Sequence, residues 1–314
     1  MTAPRTTVID CDPGTDDALA LWLALASPEL DVALVTVCGG NVGLERTLAN
    51  ARAITGLTGR AVPVVGGASR PLLGEFRSET AVHAADGLAG VRLPEGPPAV
   101  PGRAADAIRD LLRRSAPGAV TLIGLAPATN LALALAAEPE LHDRVREIVL
   151  MTGAWGEGNW TPSAEFNAAS DPEALAAVVA TGLPVSFVTL DLTAQALVTP
   201  AVVERLASTR EGAGQGACLE AACAILRNVP ASRRFGQRGF PLHDPCAVAL
   251  ALWPDLFVVR EAWVEVECGT GIGRGRTHID RWNRMRRTPN IRIAERLEPE
   301  RFFAALAGRL ASLP

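Results

Sequence analysis

Four aspartates fall within eight residues near the start of the chain. Asp10, Asp12, Asp16 and Asp17 lie in VIDCDPGTDDALA, between an apolar strand-like run and an apolar helix-like run. Like charges this close repel each other, so the segment requires full solvation, shared protons or a bound cation. A Pro-Gly pair breaks the strand, and the last two aspartates then fall in the first turn of the next helix, where the helix dipole favours negative charge.

The acidic turn is open to three interpretations. A simple helix N-terminus needs only Asp16 and Asp17, and leaves Asp10 and Asp12 at a buried strand end unexplained. A hard-cation site accounts for all four acids, because Ca²⁺ takes carboxylate, carbonyl and water oxygens; the spacing excludes an EF-hand, and the scattered histidines disfavour Zn²⁺. DCDPGT also nearly matches the DxDx[TV] nucleophile motif of Mg²⁺ phosphohydrolases, although Gly14 occupies the place of the Thr.

The elements that must position this turn are short apolar runs that alternate with helix-like stretches. The strand-like runs include TTVID, DVALVTV, AVPVV, AVTLIGL, EIVLMT and LPVSFVTL. This alternation predicts an α/β fold with an open, mostly parallel central sheet flanked by helices. No linker or repeat divides the chain, so we expect residues 1–314 to form a single domain. Ligands of such sheets bind beyond the C-terminal ends of the strands, where the acidic turn falls.

Composition excludes several classes of partner. The formal net charge is −4, so the chain lacks the basic field on which nucleic-acid binding relies. The six cysteines contain no CxxC pair and fit packed thiols in a reducing compartment. The N-terminal segment lacks a signal-type apolar stretch, and no apolar run reaches membrane-spanning length. We therefore expect a cytoplasmic protein that binds neither nucleic acid nor membrane.

Three later segments have the composition of a binding site. CGGN places Asn41 in a glycine turn after a strand, GNWTPSAEFNAASDPEA carries Glu165 and Asn167, and FPLHDPCAVALAL places His243 and Asp244 before an apolar helix. Their amide and carboxylate groups suit sugar hydroxyls. Each segment also has a purely structural interpretation: a turn former, solvated loop residues and a helix N-cap.

Together these segments resemble the inosine-uridine-preferring nucleoside hydrolase family. The matching segments run in family order and include DCDPGTDDALAL, TVCGGN, VHAADGLAG, GLAPATNLALAL, GNWTPSAEFNAASDPEA, PLHDPCAVA and GRGRTHID. The resemblance implies a Rossmann-like core and hydrolysis of the N-glycosidic bond of a ribonucleoside, purine and/or pyrimidine, to ribose and free base. It further implies a tightly held Ca²⁺, a role in nucleoside salvage, and a homodimer or homotetramer.

The resemblance also implies roles for individual residues. The Ca²⁺ ligands would be Asp12, Asp17, the backbone carbonyl of Leu125 and Asp244. The catalytic residues would be Asp12, as the general base towards water, and His243, as the acid or contact for the leaving base. The substrate-binding residues would be Asp16, Asn41, His83, Met151, Asn159, Glu165, Phe166, Asn167 and Asp244. Two positions depart from the family: Leu125 replaces a frequent Thr, and the Gly that usually follows His83 is absent.

Residue chemistry agrees with this assignment. Breaking a glycosidic bond builds an oxocarbenium-like cation, which a carboxylate-rich pocket stabilises. The base pocket is less clear, because the chain has no Tyr to stack on the base. The residues that we consider for the base are Phe235, Phe240, Trp155, Trp160, Arg233 and Arg234. A Mg²⁺ phosphohydrolase with Asp10 or Asp12 as nucleophile, and a catalytically silent nucleoside-binding protein, are the alternatives.

Overall fold

The computed structural model describes residues 3–75, 78, 83–209, 216–232, 235–236 and 238–314. Its strands are β1 Arg5–Cys11, β2 Leu30–Val37, β3 Val64–Gly66, β4 Val120–Gly124, β5 Val145–Met151, β6 Val185–Val188, β7 Leu197–Val198, β8 Phe240–Pro241, β9 Phe257–Val266, β10 Thr277–Asp280 and β11 Ile291–Leu297. Its α-helices are α1 Thr15–Ala26, α2 Leu44–Leu57, α3 Ala104–Arg114, α4 Thr129–Ala137, α5 Phe166–Ser170, α6 Pro172–Ala180, α7 Leu190–Thr193, α8 Pro200–Ala207, α9 Ala217–Asn228, α10 Asp244–Leu252 and α11 Pro299–Ala311. Short 3₁₀-helices cover Pro139–Arg144 and Pro254–Leu256.

Nine strands form one sheet in the order β10-β9-β11-β6-β5-β4-β1-β2-β3. Neighbours from β11 to β3 run parallel. At the other end, β9 is antiparallel to both β10 and β11. The predicted open, mostly parallel sheet is therefore confirmed, and β7 and β8 form a separate antiparallel pair.

The order of the first six strands creates a crevice for a ligand. These strands lie as 3-2-1-4-5-6, which is the doubly wound arrangement with a switch point between β1 and β4. Apolar side chains from the helices cover both faces of the sheet in two buried clusters. The loops that follow β1 and β4 diverge at the switch point, which leaves space beyond the strand ends.

Helix α1 places the acidic turn inside the protein. Every residue of this helix except Asp16 is buried, and it packs against α2, α9, α10 and α11. A helix that is apolar all round belongs in a protein core. Because α1 follows β1 after only three residues, its first turn lies at the C-terminal edge of the sheet. In the described part of the chain, no helix combines the length and apolarity needed to cross a membrane.

Candidate active site

A cavity of about 350 Å³ lies beyond the C-terminal ends of β1, β4 and β5. Eleven of the predicted site residues line it: Asp16, Asn41, His83, Leu125, Met151, Asn159, Glu165, Phe166, Asn167, His243 and Asp244. The other two, Asp12 and Asp17, are buried and form hydrogen bonds to Asn41 in the cavity wall. The fold therefore brings all thirteen predicted residues to one place.

The Pro-Gly turn is held by the carboxylate of Asp17. Its Oδ2 accepts hydrogen bonds from the backbone N–H of Gly14 at 2.9 Å and from the side-chain amide of Asn41 at 3.2 Å. Its Oδ1 accepts one from the backbone N–H of Asp12 at 3.3 Å. The bond from Gly14 satisfies the N–H of the N-cap residue of α1, and the three bonds together fix the Asp17 carboxylate beside the cavity.

Asp12 has one satisfied oxygen and one unsatisfied oxygen. Oδ2 accepts the backbone N–H of Asn41 at 2.7 Å, and the backbone oxygen of Asp12 accepts the Asn41 side-chain amide at 3.1 Å. Oδ1 is buried without a hydrogen-bond partner. A buried polar atom in this state is costly unless a ligand supplies the missing interaction.

Three further carboxylates converge beside Asp12. Oxygens of Asp16, Asp17 and Asp244 lie within 4.8 Å of one another. Asp244 is the first residue of α10, so the N-terminal ends of α1 and α10 meet at this point. In the residues that the structure describes, no arginine forms an ion pair with any of the four acids.

The pKa values of these carboxyl groups show that ionising all of them inside the protein is unfavourable. Burial raises the pKa of Asp17 to about 7, and the charge of Asp16 acts in the same direction. Burial also raises the pKa of Asp12 well above its usual range, with the charge of Asp17 as the second cause. Asp244 shifts the same way, through burial and then Asp16. A divalent cation with a preference for hard oxygen donors, such as Ca²⁺, fits this set of ligands.

The carbonyl of Leu125 is positioned by its neighbours on both sides. The Leu125 N–H donates to the backbone oxygen of Asp10 at 2.8 Å, which ties the end of β4 to β1. The side-chain amide of Asn167 donates to the oxygens of Leu125 and Met151, at 2.8 and 3.0 Å. Asn167 therefore joins the ends of β4 and β5 at the cavity.

Glu165 serves as the N-cap of α5. Its carboxylate accepts backbone N–H groups of Asn167, Ala168 and Gly153 at 2.7 to 2.9 Å. Burial nevertheless raises its pKa above the ordinary value. The Asn159 side-chain oxygen accepts the N–H of Phe166 at 2.9 Å, so the loop before α5 is fixed by polar contacts from within its own segment.

Two histidines border the cavity from opposite segments of the chain. His83 Nδ1 accepts the backbone N–H of Thr15 at 3.1 Å, and burial lowers its pKa. His243 Nδ1 lies 2.7 Å from the hydroxyl oxygen of Thr193. Both threonines are partners that the sequence analysis did not identify, because each lies at least fifty positions from its histidine.

The rest of the cavity is lined mostly by apolar residues. Phe235 and Phe240 line it, together with Leu190, Leu226, Val229 and Leu242. The tryptophans considered for the base do not line the cavity. Trp155 lies under the guanidinium of Arg281 at 4.3 Å, and Trp160 packs edge-on at 5.3 Å against Phe166, which does line it. Arg233 and Arg234 lie outside the described residues.

The side chain of Asp10 is not part of the cavity wall. Its Oδ1 accepts the Thr36 hydroxyl at 2.6 Å and the Asn130 amide at 2.8 Å, and the residue is fully buried. Burial raises its pKa to about 7. Asp10 therefore braces β1 against β2 and α4, an arrangement unlike that of an exposed phosphatase nucleophile.

Comparison with known proteins identifies the family of this chain. The family model described as inosine-uridine preferring nucleoside hydrolase matches residues 7–304. The chain belongs to this family. It is a nucleoside hydrolase, an N-glycosyl hydrolase that acts on ribonucleosides.

Individual nucleoside hydrolases are similar over the whole length. A pyrimidine-specific ribonucleoside hydrolase RihA from Klebsiella pneumoniae subsp. pneumoniae is 40% identical over 305 residues, which cover 97% of each chain. A purine-preferring ribonucleoside hydrolase from Gardnerella vaginalis has a TM-score of 0.89 at 29% identity and covers 98% of each chain. The plant nucleoside hydrolase PpNRh1 has a TM-score of 0.88 at 30% identity, with 98% of this chain and 99% of that one covered.

Proposed function

We propose that this nucleoside hydrolase cleaves pyrimidine ribonucleosides in a Ca²⁺-dependent reaction. The observation that carries the proposal is the convergence of three carboxylates, Asp16, Asp17 and Asp244, close to Asp12, whose Oδ1 is buried and unsatisfied, at a cavity that is also lined by apolar residues. We assign the ribose and the cation to the acidic end of the cavity, and the flat base to its apolar outer end. Each part of the proposal is separately testable.

Asp12, Asp17, Asp244 and the Leu125 carbonyl would hold the cation. All four supply oxygen, and the raised pKa values of the three acids mean that a positive charge here would relieve strong repulsion. Ca²⁺ would supply positive charge that favours ionisation of a nearby water and binds ribose hydroxyl oxygens.

Asp12 would act as the general base. Its Oδ2 is held by Asn41, so the carboxylate cannot rotate freely, and its buried Oδ1 is the atom left to accept a proton from water. In the absence of a cation, burial and the charge of Asp17 raise the pKa of this carboxylate, so a bound cation would keep it ionised and able to accept a proton.

The ribose would be held by polar groups on several sides of the cavity. Asp16, Asn41, Asn159, Glu165, Asn167 and Asp244 would bind its hydroxyls, with Met151 and Phe166 packed against the sugar. As the glycosidic bond breaks, positive charge develops on the ribosyl ring, and the surrounding carboxylates stabilise it. His243, at the other end, would donate a hydrogen bond or a proton to the departing base.

The base preference rests on relatives and on the shape of the outer cavity. The RihA relative is named pyrimidine-specific at 40% identity, whereas the purine-preferring Gardnerella enzyme is 29% identical. Phe235 and Phe240 provide ring surfaces for a base at the apolar end. Uridine and cytidine should therefore have higher kcat/KM than inosine and adenosine.

The test is an assay of ribose release from these four nucleosides. It compares three samples: protein from which a chelator has removed the metal, the same protein after Ca²⁺ is added back, and the Asp12→Asn variant. We expect release that stops on chelation and returns with Ca²⁺. Asp12→Asn should lower kcat by at least about a hundredfold, with an unchanged melting temperature. Undiminished turnover after complete removal of the metal would refute Ca²⁺ dependence, and higher kcat/KM on inosine would refute the base preference.

The remaining assignments are proposals of the same kind. We propose that the protein is cytoplasmic and takes part in nucleoside salvage; its six cysteines are free thiols, as is usual for proteins of a reducing compartment. We also propose that residues 1–314 form one domain and that the chain assembles into a homodimer or homotetramer. Light scattering of the purified protein tests the assembly.

A further inference from the structure

Two groups of Thr15 converge on one nitrogen of His83. The backbone N–H of Thr15 donates to Nδ1 at 3.1 Å, and the hydroxyl oxygen lies 3.0 Å from the same atom. The two residues are buried and lie 68 positions apart in the sequence. Thr15 is the first residue of α1, the helix that also carries Asp16 and Asp17.

The ring of His83 is packed closely against this turn. A Cβ atom added to Gly14 would lie 2.6 Å from His83 Nδ1 and 2.8 Å from Cε1. Only 8% of His83 is exposed, although the residue lines the cavity. The imidazole thus reaches the turn at a place where only glycine leaves room for it, and its orientation is determined by Thr15.

These contacts determine where the imidazole carries its hydrogen. A backbone N–H can only donate, so Nδ1 must present its lone pair to Thr15. The single hydrogen of the neutral ring is then on Nε2. His243 differs in this respect, because its Nδ1 partner is the hydroxyl of Thr193, which can either donate or accept.

We infer that Thr15 is a positioning residue that holds His83 in the Nε2–H tautomer, so that the ring offers one neutral donor to an acceptor atom of the bound ribonucleoside. The inference rests on the proposed function in one respect, namely that the nucleoside occupies this cavity. Nδ1 is engaged by Thr15, so Nε2 is the ring nitrogen that remains for a ligand. Thr15 acts on the substrate only through His83.

The first test is a double-mutant cycle measured as kcat/KM on uridine. Thr15→Val keeps the shape and the backbone N–H but removes the hydroxyl, so His83 Nδ1 loses one of its two contacts. We expect kcat/KM to fall by about tenfold, the value of one hydrogen bond. Thr15→Ser restores the hydroxyl and should recover most of the loss. In a His83→Ala background, Thr15→Val should have little further effect, because coupled residues are not additive.

An equal loss from Thr15→Val in both backgrounds would overturn the inference, since Thr15 would then act independently of His83. Loss of bound Ca²⁺ from Thr15→Val, measured by elemental analysis, would overturn it too. That result would show that the substitution acts on the neighbouring acids and not on the histidine.

The second test determines the tautomer of His83 by NMR and does not depend on enzyme activity. The chain has four histidines, so ¹⁵N-histidine labelling gives a small set of ring resonances, and a His83→Ala spectrum assigns those of His83. We expect the spectrum to show His83 with an unprotonated Nδ1 and a protonated Nε2. The ¹⁵N chemical shift of Nδ1 should change in Thr15→Val and return to its original value in Thr15→Ser. A protonated Nδ1 would refute the inference, whereas an inactive wild-type enzyme with the expected spectrum would refute only the proposed function.

Discussion

Asn41 binds Asp12 twice: its backbone N–H donates to Asp12 Oδ2 at 2.7 Å, and its side-chain amide donates to the Asp12 backbone oxygen at 3.1 Å. The residue before it, Gly40, approaches the same carboxylate so closely that an added Cβ would lie 2.0 Å from Oδ2. The CGG turn after β2 therefore shapes the position of the proposed general base. This relationship gives a test of Asp12 that leaves its chemistry unchanged.

Gly40→Ala should displace the Asp12 carboxylate and lower kcat at least about a hundredfold, comparable to loss of a general base. The matched control is Gly43→Ala, three residues later, where an added Cβ meets nothing within 4 Å. Gly43 has an ordinary φ of −63° and is the N-cap of α2, so the control should cost at most about 1 kcal/mol of stability and leave Asp12 in place. Comparable kcat values for the two variants would contradict the assigned position of Asp12.

Removal of the Asp17 carboxylate should release the cation. Asp17→Ala and Asp17→Asn should both reduce bound Ca²⁺ from about one per chain to near zero, because each removes an anionic oxygen ligand. Asp17→Ala should also destabilise the protein by about 1–3 kcal/mol, since three N–H groups lose their acceptor. Elemental analysis measures the Ca²⁺ content, and urea unfolding measures the change in stability.

The control for Asp17 is Asp31→Ala, an exposed acid on β2. It changes the net charge of the chain as Asp17→Ala does and should leave the metal content unaltered. If Asp17→Ala still carried one ion per chain, Asp17 would not be a metal ligand.

Much of the fold and of the site can be predicted from local sequence, because the apolar runs and the DCDPGTDD turn carry their information within a few residues. The parallel strands β1 to β6 follow from such segments. The thirteen site residues are implied by the family resemblance that these segments carry, and the fold places them together. What could not be predicted depends on distant partners. Asn130 binds Asp10 across 120 positions, and no spacing rule indicates this bond. The antiparallel β9 and β10 likewise depend on pairing that local patterns do not specify.

The apolar wall of the proposed base pocket also escaped prediction, for a different reason. Leu226 and Val229 are ordinary apolar residues at the end of α9 and just beyond it, and nothing in their types separates them from core residues. Their role follows only from where α9 lies relative to the strand ends. Carboxylates near a turn are recognisable in a sequence, whereas an apolar wall is not.

The metal-free protein should lose stability as the pH rises. Burial raises the pKa of Asp10 and of Asp17 from 3.8 to about 7, and the charge of Asp16 adds to the shift of Asp17. The folded state therefore binds more protons than the unfolded state between about pH 4 and pH 7, so the free energy of unfolding falls as the pH rises through this range. His83 acts in the opposite direction, because burial lowers its pKa, but burial also raises the pKa values of Asp12, Asp244 and Glu165, which act in the same direction as Asp10 and Asp17.

Urea unfolding of metal-depleted protein at about pH 5 and about pH 8 checks the direction in which the free energy of unfolding changes with pH. We expect the free energy of unfolding to be lower at the higher pH by at least about 1 kcal/mol. Saturating Ca²⁺ should abolish or reverse the difference, because the ion replaces protons in offsetting the carboxylates. A chelated protein that was more stable at pH 8 would mean that these acids are not protonated in the folded state.

Replacement of His243 should lower kcat more for substrates with a poor leaving group than for substrates with a good one. Its Nδ1 lies 2.7 Å from the Thr193 hydroxyl oxygen, which holds the ring at the N-terminus of α10 beside the cavity. A pyrimidine base leaves poorly unless it receives a hydrogen bond or a proton, whereas p-nitrophenolate leaves without one. His243→Ala should therefore lower kcat on uridine by about 10²–10⁴-fold and kcat on p-nitrophenyl riboside by less than about tenfold. Steady-state kinetics on both substrates with one enzyme preparation give the loss of kcat for each. Equal losses on the two substrates would show that His243 is not the acid and only contacts the base.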